Sequence, residues 1–103
     1  MTVPRQGEIW WAEAEDKRRP VLVVTRSDTA GVLNRLAIAP VTRTVRGIPT
    51  EIVLGPEQGL VNECVASFDN LQPISRRLLT QRVGALDPRS REICRALAAM
   101  TDC

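Results

Sequence analysis

The apolar residues of this chain fall in short runs separated by turn signals, a spacing that predicts strands rather than long helices. Gly7-Glu8-Ile9-Trp10-Trp11-Ala12-Glu13-Ala14 has the apolar density and partial alternation of a first strand. Glu15-Asp16-Lys17-Arg18 is a short charged turn, so a second strand should return antiparallel beside it. Val21-Leu22-Val23-Val24, opened by Arg19-Pro20 and closed by Thr25-Arg26-Ser27-Asp28, reads as a strand buried on both faces. Pro20 suits the first residue of that strand, where no ladder donor is needed, and it holds Arg19 extended. Residues 27–34 contain Asp28 and Gly31 and read as a loop with room for one helical turn.

Leu36-Ala37-Ile38-Ala39-Pro40-Val41-Thr42 predicts a third strand, which its proline places at an edge or a bulge. A basic connection with Gly47 and Pro49 as punctuation leads to a fourth strand at residues 50–54. Residues 55–60 turn the chain and residues 63–68 form a fifth strand. Residues 69–74 continue extended, residues 75–79 make one helical turn, and residues 82–86 form a last short strand. Asp87-Pro88 has the form of an N-cap followed by proline at the first helical position. The helix should run to about Met100, with Ile93, Leu97 and Met100 on its buried face. Six or so short strands and one terminal helix predict a mostly β chain with some α, a small and mainly antiparallel barrel. No internal repeat, linker or low-complexity tract divides it, so residues 1–103 are expected to form a single domain.

Composition narrows the picture. With 103 residues, 44% of them hydrophobic, the chain suits one core. So short a chain hides only about two-thirds of its unfolded surface, which makes a homodimer a natural way to bury more. Trp10, Trp11 and Phe68 are the only aromatics. The core must therefore be Val, Leu, Ile and Ala, and an aromatic platform for stacked bases is poorly supported. A net charge of +2 and a pI near 8.7 permit an anionic partner without demanding one. The cations are almost all arginine, with Lys17 the sole lysine.

Cys64, Cys94 and Cys103 are widely spaced and no histidine accompanies them, so neither a zinc site nor a disulfide framework is expected. No charged-then-apolar leader and no run of membrane-spanning length is evident, which points to the cytoplasm. Without histidine, any catalysis must run on Arg, Asp or Glu, Thr or Ser, or Cys.

Three pieces could carry chemistry. Arg19 stands at the start of the second strand, where a guanidinium would be held against a rigid element. Thr42 ends the third strand, just before a loop carrying Arg43, Thr44 and Arg46. Asp69-Asn70 follows the fifth strand. Strand ends at one rim of a small barrel can converge, and cations, hydroxyls, an amide and a carboxylate together suit a phosphodiester and the edge of an unpaired base. Each piece also has an ordinary reading: a solvated basic turn, solvated loop charges, a β-former with an idle hydroxyl, a turn pair.

Gly7-Glu8-Ile9-Trp10, Arg19-Pro20-Val21-Leu22-Val23-Val24, Pro40-Val41-Thr42 and Asp69-Asn70, in that order, resemble the MazF/PemK family of toxin endoribonucleases. The likeness spans about residues 5 to 100. One branch of the family is particularly similar over Ala39-Pro40-Val41-Thr42-Arg43-Thr44-Val45-Arg46-Gly47, with Thr50-Glu51 shortly after. The resemblance implies an SH3-like barrel, CcdB/Kid-like, with a C-terminal helix. It further implies a homodimer that cuts single-stranded RNA without metal or other cofactor, leaving a 2′,3′-cyclic phosphate and a 5′-hydroxyl. A cognate antitoxin would block the RNA groove with a flexible tail. By motif matching, Arg19 and Thr42 fall on the family's catalytic arginine and threonine, and Asp69-Asn70 on a pair that helps read RNA. Arg43, Thr44 and Arg46 join them as RNA-binding candidates. The turn between the first two strands is shorter here than in many relatives, and Asn70 stands where many carry glutamine.

Two rival classes remain open to this sequence. A CcdB-like gyrase poison on the same barrel would act through its C-terminal helix and has no need of Arg19 or Thr42. A plain SH3-like binding module would need an exposed aromatic groove for proline-rich ligands, which three aromatics supply poorly.

Overall fold

The computed structural model describes residues 3–14 and 17–101. Two members of the expected first turn, Glu15 and Asp16, lie outside the described residues, as does Cys103. Strand β1 (Glu8–Ala14) pairs antiparallel with β2 (Lys17–Val23), in register from Ile9–Leu22 to Ala14–Lys17. Strand β3 (Arg35–Thr42) follows a helical turn, α1 (Ser27–Ala30), and pairs with β2 through Val23–Ile38, Leu22–Ala39 and Val21–Pro40. Strands β4 (Glu51–Leu54) and β5 (Cys64–Ser67) form a hairpin against the end of β3, while β6 (Gln72–Ser75) pairs with its beginning. Strand β7 (Leu79–Ala85) closes on the far side of β1, and helix α2 (Arg91–Ala99) packs beside β4. The sheet runs β4-β5-β3-β2-β1-β7 with β6 beside β3, a curled antiparallel half-barrel as expected.

Two apolar clusters fill it. One gathers Leu22, Ile52, Phe68, Leu86 and Ile93 beneath α2. The other joins Trp10, Val23, Leu36 and Leu79 on the opposite side of the sheet. The chain crosses between them because residues 21–24 are buried on both faces, as four consecutive aliphatics require.

Two expectations need correction, and a third is met in one of its two forms. Pro20 is the fourth residue of β2, not the first, and Arg19 lies within the strand opposite Ala12. That is tolerable because β3 accompanies β2 only from Val21 onward, leaving residues 17–20 with β1 as their ladder neighbour. Strand β3 is central rather than an edge, but its proline does meet an irregularity. Between the β5 and β6 pairings, residues 67–71 stand against Ala39 and Pro40 alone, and the surplus forms a 3₁₀ turn at Phe68–Asn70. Finally, α2 begins at Arg91 rather than beside Pro88. Backbone bonds from Arg89 N–H to Leu86 O and from Glu92 N–H to Arg89 O close a turn first. Helix α2 buries Ile93 and Ala96 with Leu97 half-buried, whereas Met100, past its end, is 40% exposed.

A carboxylate stitches the β1–β7 seam. Glu8 Oε1 accepts from Arg5 N–H at 2.8 Å and Trp10 Nε1 at 3.0 Å, and Oε2 accepts from Arg82 Nε at 2.8 Å. Burial raises its pKa, but the hydrogen bonds from Trp10, Arg5 and Arg82 and the Arg82 charge outweigh that, and the net shift is downward from 4.5. A carboxyl depressed on folding stabilises the protein above its unfolded pKa, and that stability is lost as pH falls through the folded value. Lowering the pH below 4.5 should therefore depress the melting temperature more in the wild type than in Glu8→Gln. At pH 7 the substitution should cost about 1.5–3 kcal/mol, read by urea denaturation.

Candidate functional site

The β2–β3 ladder ends at Val21–Pro40. Continuing the same register by two places would set Thr42 opposite Arg19, but Val41 and Thr42 instead pair with Ala66 and Val65 of β5. The strands therefore part just past two prolines, neither of which can donate to a ladder. A hollow of about 350 Å³ opens there, lined by Arg19 from β2 and Pro40, Val41 and Thr42 from β3. Thr44 and Arg46 close it from the following loop. Glu51 comes from β4, Ser67 from the end of β5, and Asn70 and Gln72 from the bulge and the start of β6.

Of the residues singled out from sequence, Arg19, Thr42, Thr44, Arg46 and Asn70 thus share one concavity. Arg43 is exposed but does not line it. Asp69 does not line it either: Thr50 Oγ1 donates to Asp69 Oδ2 at 2.6 Å. The adjacent pair is thereby split, Asp69 bracing the turn and Asn70 facing the hollow. Asn70 Nδ2 donates to Ser67 Oγ at 3.1 Å, so its carbonyl oxygen stays available as an acceptor.

The loop after β3 is tied inward. Thr42 Oγ1 accepts from Thr44 N–H at 3.2 Å, which leaves the hydroxyl hydrogen free to point elsewhere. Glu51 Oε1 accepts from the N–H groups of Arg46 at 3.0 Å and Gly47 at 2.9 Å, the latter in the positive-φ conformation that glycine adopts readily. From outside, Arg95 of α2 donates to Pro49 O at 2.7 Å and to Glu51 O at 3.1 Å.

Several arginines are engaged within the fold, while others, Arg35, Arg77 and Arg91 among them, have guanidiniums without a partner among the described residues. Arg18 stacks on Trp11, 4.5 Å from the ring centroid, and donates to Gln81; Arg76 donates to Ala30 O; Arg82 and Arg89 pair with Glu8 and Glu92. Arg19 and the guanidinium of Arg46 make no ion pair or hydrogen bond among the described residues. Two unengaged guanidiniums, a hydroxyl and neutral amides around one hollow suit an anion flanked by polar edges. No aromatic side chain lines it: Trp10 and Phe68 are buried and Trp11 lies under Arg18. Among the described residues no cluster of three His, Cys, Asp or Glu could hold a metal ion, and no helix is long and apolar enough to cross a membrane.

Sequence reasoning gave Glu51 no role and passed over Ser67 and Gln72. An acidic residue opening an apolar strand just after Gly47 and Pro49 was the available signal for Glu51. Nothing local marks the other two, which reach the hollow only through the bulge in front of Pro40. A larger hollow of about 1000 Å³ lies elsewhere, floored by Val3, Trp10 and Leu79, and none of the candidate residues lines it.

The family model for PemK-like, MazF-like toxins of type II toxin–antitoxin systems matches residues 5–101. The probable endoribonuclease MazF5 of Mycobacterium tuberculosis is 39% identical over 104 residues, 98% of this chain and 95% of that protein. The structure of the Mycobacterium tuberculosis toxin MazF-mt6 is 35% identical and superposes with a TM-score of 0.82, over 90% of this chain and 95% of that one. A MazE–MazF crystal structure from Deinococcus radiodurans is 25% identical with a TM-score of 0.76, over 96% of each chain.

The bond between Thr50 and Asp69 is testable without any ligand. Thr50→Val should lower stability by about 1 kcal/mol, seen as a fall of a few degrees in thermal unfolding.

Proposed function

The chain belongs to the PemK-like, MazF-like toxins of type II toxin–antitoxin systems and is an endoribonuclease; we propose that it cuts single-stranded RNA in the Arg19–Thr42 hollow, without metal. The observation that carries this is the fork in the β2–β3 ladder, which sets an unpaired guanidinium and a hydroxyl around one concavity. RNA brings its own nucleophile. The 2′-oxygen attacks the adjacent phosphorus, the bond to the 5′-oxygen breaks, and a 2′,3′-cyclic phosphate and a 5′-hydroxyl result.

In this reading Arg19 donates charge-assisted hydrogen bonds to the non-bridging oxygens as negative charge builds. It acts by electrostatic stabilisation, because a guanidinium does not readily give up its proton. Thr42, whose oxygen is held by Thr44 N–H, turns its hydrogen toward a phosphate oxygen and keeps the attack in line. Arg46 and Thr44 steady the flanking phosphates, with Arg43 adding charge at the approach. Asn70 reads a base edge and Asp69 supports it through the turn; with no aromatic in the hollow, recognition runs on hydrogen bonds rather than stacking.

Its partner is a cognate antitoxin, whose flexible tail covers the hollow in our reading. The chain acts as one domain and works as a cytoplasmic homodimer. Val3, Val32 and Leu33 expose apolar surface, Val32 being 78% exposed, beside β6, whose only ladder neighbour among the described strands is β3. An aromatic groove for proline-rich peptides is not present among the described residues.

The deciding experiment incubates the purified protein with mixed-sequence single-stranded RNA in EDTA and maps the ends. Cleavage leaving cyclic phosphates is expected, and intact RNA would defeat the proposal. Arg19→Ala should fold normally and cleave about 10²–10³-fold more slowly; full activity would remove Arg19 from the mechanism. Asn70→Ala should change the sequence preference of the cut sites with little loss of thermal stability, whereas an unaltered cut pattern would take Asn70 out of base recognition.

A further inference from the structure

We propose that Glu51 is the general base, taking the proton from the attacking 2′-hydroxyl. The inference rests on the ribonuclease reading above and supplies the proton acceptor that reading lacks.

Glu51 carries the sole carboxylate among the residues lining the hollow, and the chain has no histidine. The other groups there are guanidiniums, hydroxyls and amides, none of which accepts a proton readily near neutral pH. Asp69, the nearest acid in the motif, is turned to Thr50 instead.

The side chain is also fixed. It is 6% exposed, its Oε1 is held by two backbone N–H groups, and its own carbonyl is gripped by Arg95. Among the described residues nothing donates to Oε2, yet no fully buried side-chain oxygen there lacks a partner. Oε2 therefore keeps some accessible surface while the bonds to Oε1 restrain the carboxylate, and Glu51 is among the residues that line the hollow.

Charge gives the reason for an acid at this position. A carboxylate repels a phosphodiester, and a glutamine carbonyl could accept from the same two N–H groups, though more weakly. What the carboxylate adds is the capacity to accept a proton. In the step, Oε2 takes the 2′-hydroxyl proton as the bond from O2′ to phosphorus forms and the bond from phosphorus to O5′ breaks. Solvent water protonates the departing 5′-oxygen, and Glu51 later returns its proton to solvent.

Single-turnover cleavage of a single-stranded RNA in EDTA by wild type and Glu51→Gln tests this, beside binding of the all-2′-deoxy strand and urea unfolding. Glu51→Gln should cleave about 10²–10⁴-fold more slowly, with affinity for the deoxy strand unchanged or tighter and a cooperative unfolding transition retained. Cleavage within a few-fold of wild type would overturn the proposal and leave the ribonuclease reading standing. Loss of folding or of deoxy-strand binding in Glu51→Gln would also overturn it, since the residue would then be a loop anchor. Wild-type protein that leaves the RNA whole would remove both readings together.

Discussion

Two prolines set the shape of the rim that carries Arg19 and Thr42. Pro40 occupies the last rung between β2 and β3 and Pro20 stands one residue beyond it, so the strands reach the same level with no donor from either proline. Past that level β3 turns to β5 while β2 continues beside β1. The hollow is the space between strands that were in register and have separated. Because both walls belong to one curled sheet, Arg19 and Thr42 are placed by backbone geometry and not by the settling of a loop.

The same proline level has a consequence on the opposite edge of β3. The surplus residues between the β5 and β6 pairings are pushed into a 3₁₀ turn pinned by buried Phe68 and by the Thr50–Asp69 bond. That turn swings Asn70 into the hollow and brings Gln72 after it. One interruption of regular pairing thus provides both the cavity and part of its polar wall, in keeping with the frequency of bulges beside functional sites.

The loop that completes the wall has few apolar anchors, since Val45 and Ile48 are both exposed. It is held by polar bonds from two sides, Glu51 from within and Arg95 from helix α2. Helix α2 therefore does more than cover the lower cluster: it fixes the first residue of β4, from which the buried carboxylate projects. Some cations are held by Glu8, Glu92 or backbone carbonyls, whereas the guanidiniums of Arg19 and Arg46 at the hollow, like those of Arg35, Arg77 and Arg91 elsewhere, have no partner among the described residues.

Sequence alone determined most of the elements, the antiparallel pairing of the first two strands and a mainly antiparallel β class, because burial on one or both faces leaves a readable period in each segment. The order of strands in the sheet it did not give. The ordered Arg19-Pro20, Pro40-Val41-Thr42 and Asp69-Asn70 motifs marked the family and pointed to one rim. Local signals misled where they competed with more distant bonds: Asp87-Pro88 looks like a helix start, yet the turn at residues 87–90 closes before α2 begins. Tertiary structure decided the rest. That β2 starts before Pro20, that Asp69 braces while Asn70 faces inward, and that Glu51 and Gln72 enter the hollow all depend on register between separate strands. A hydrophobic pattern records which side of a strand is covered, but not which residue of another strand lies opposite it, and the hollow is made of such oppositions.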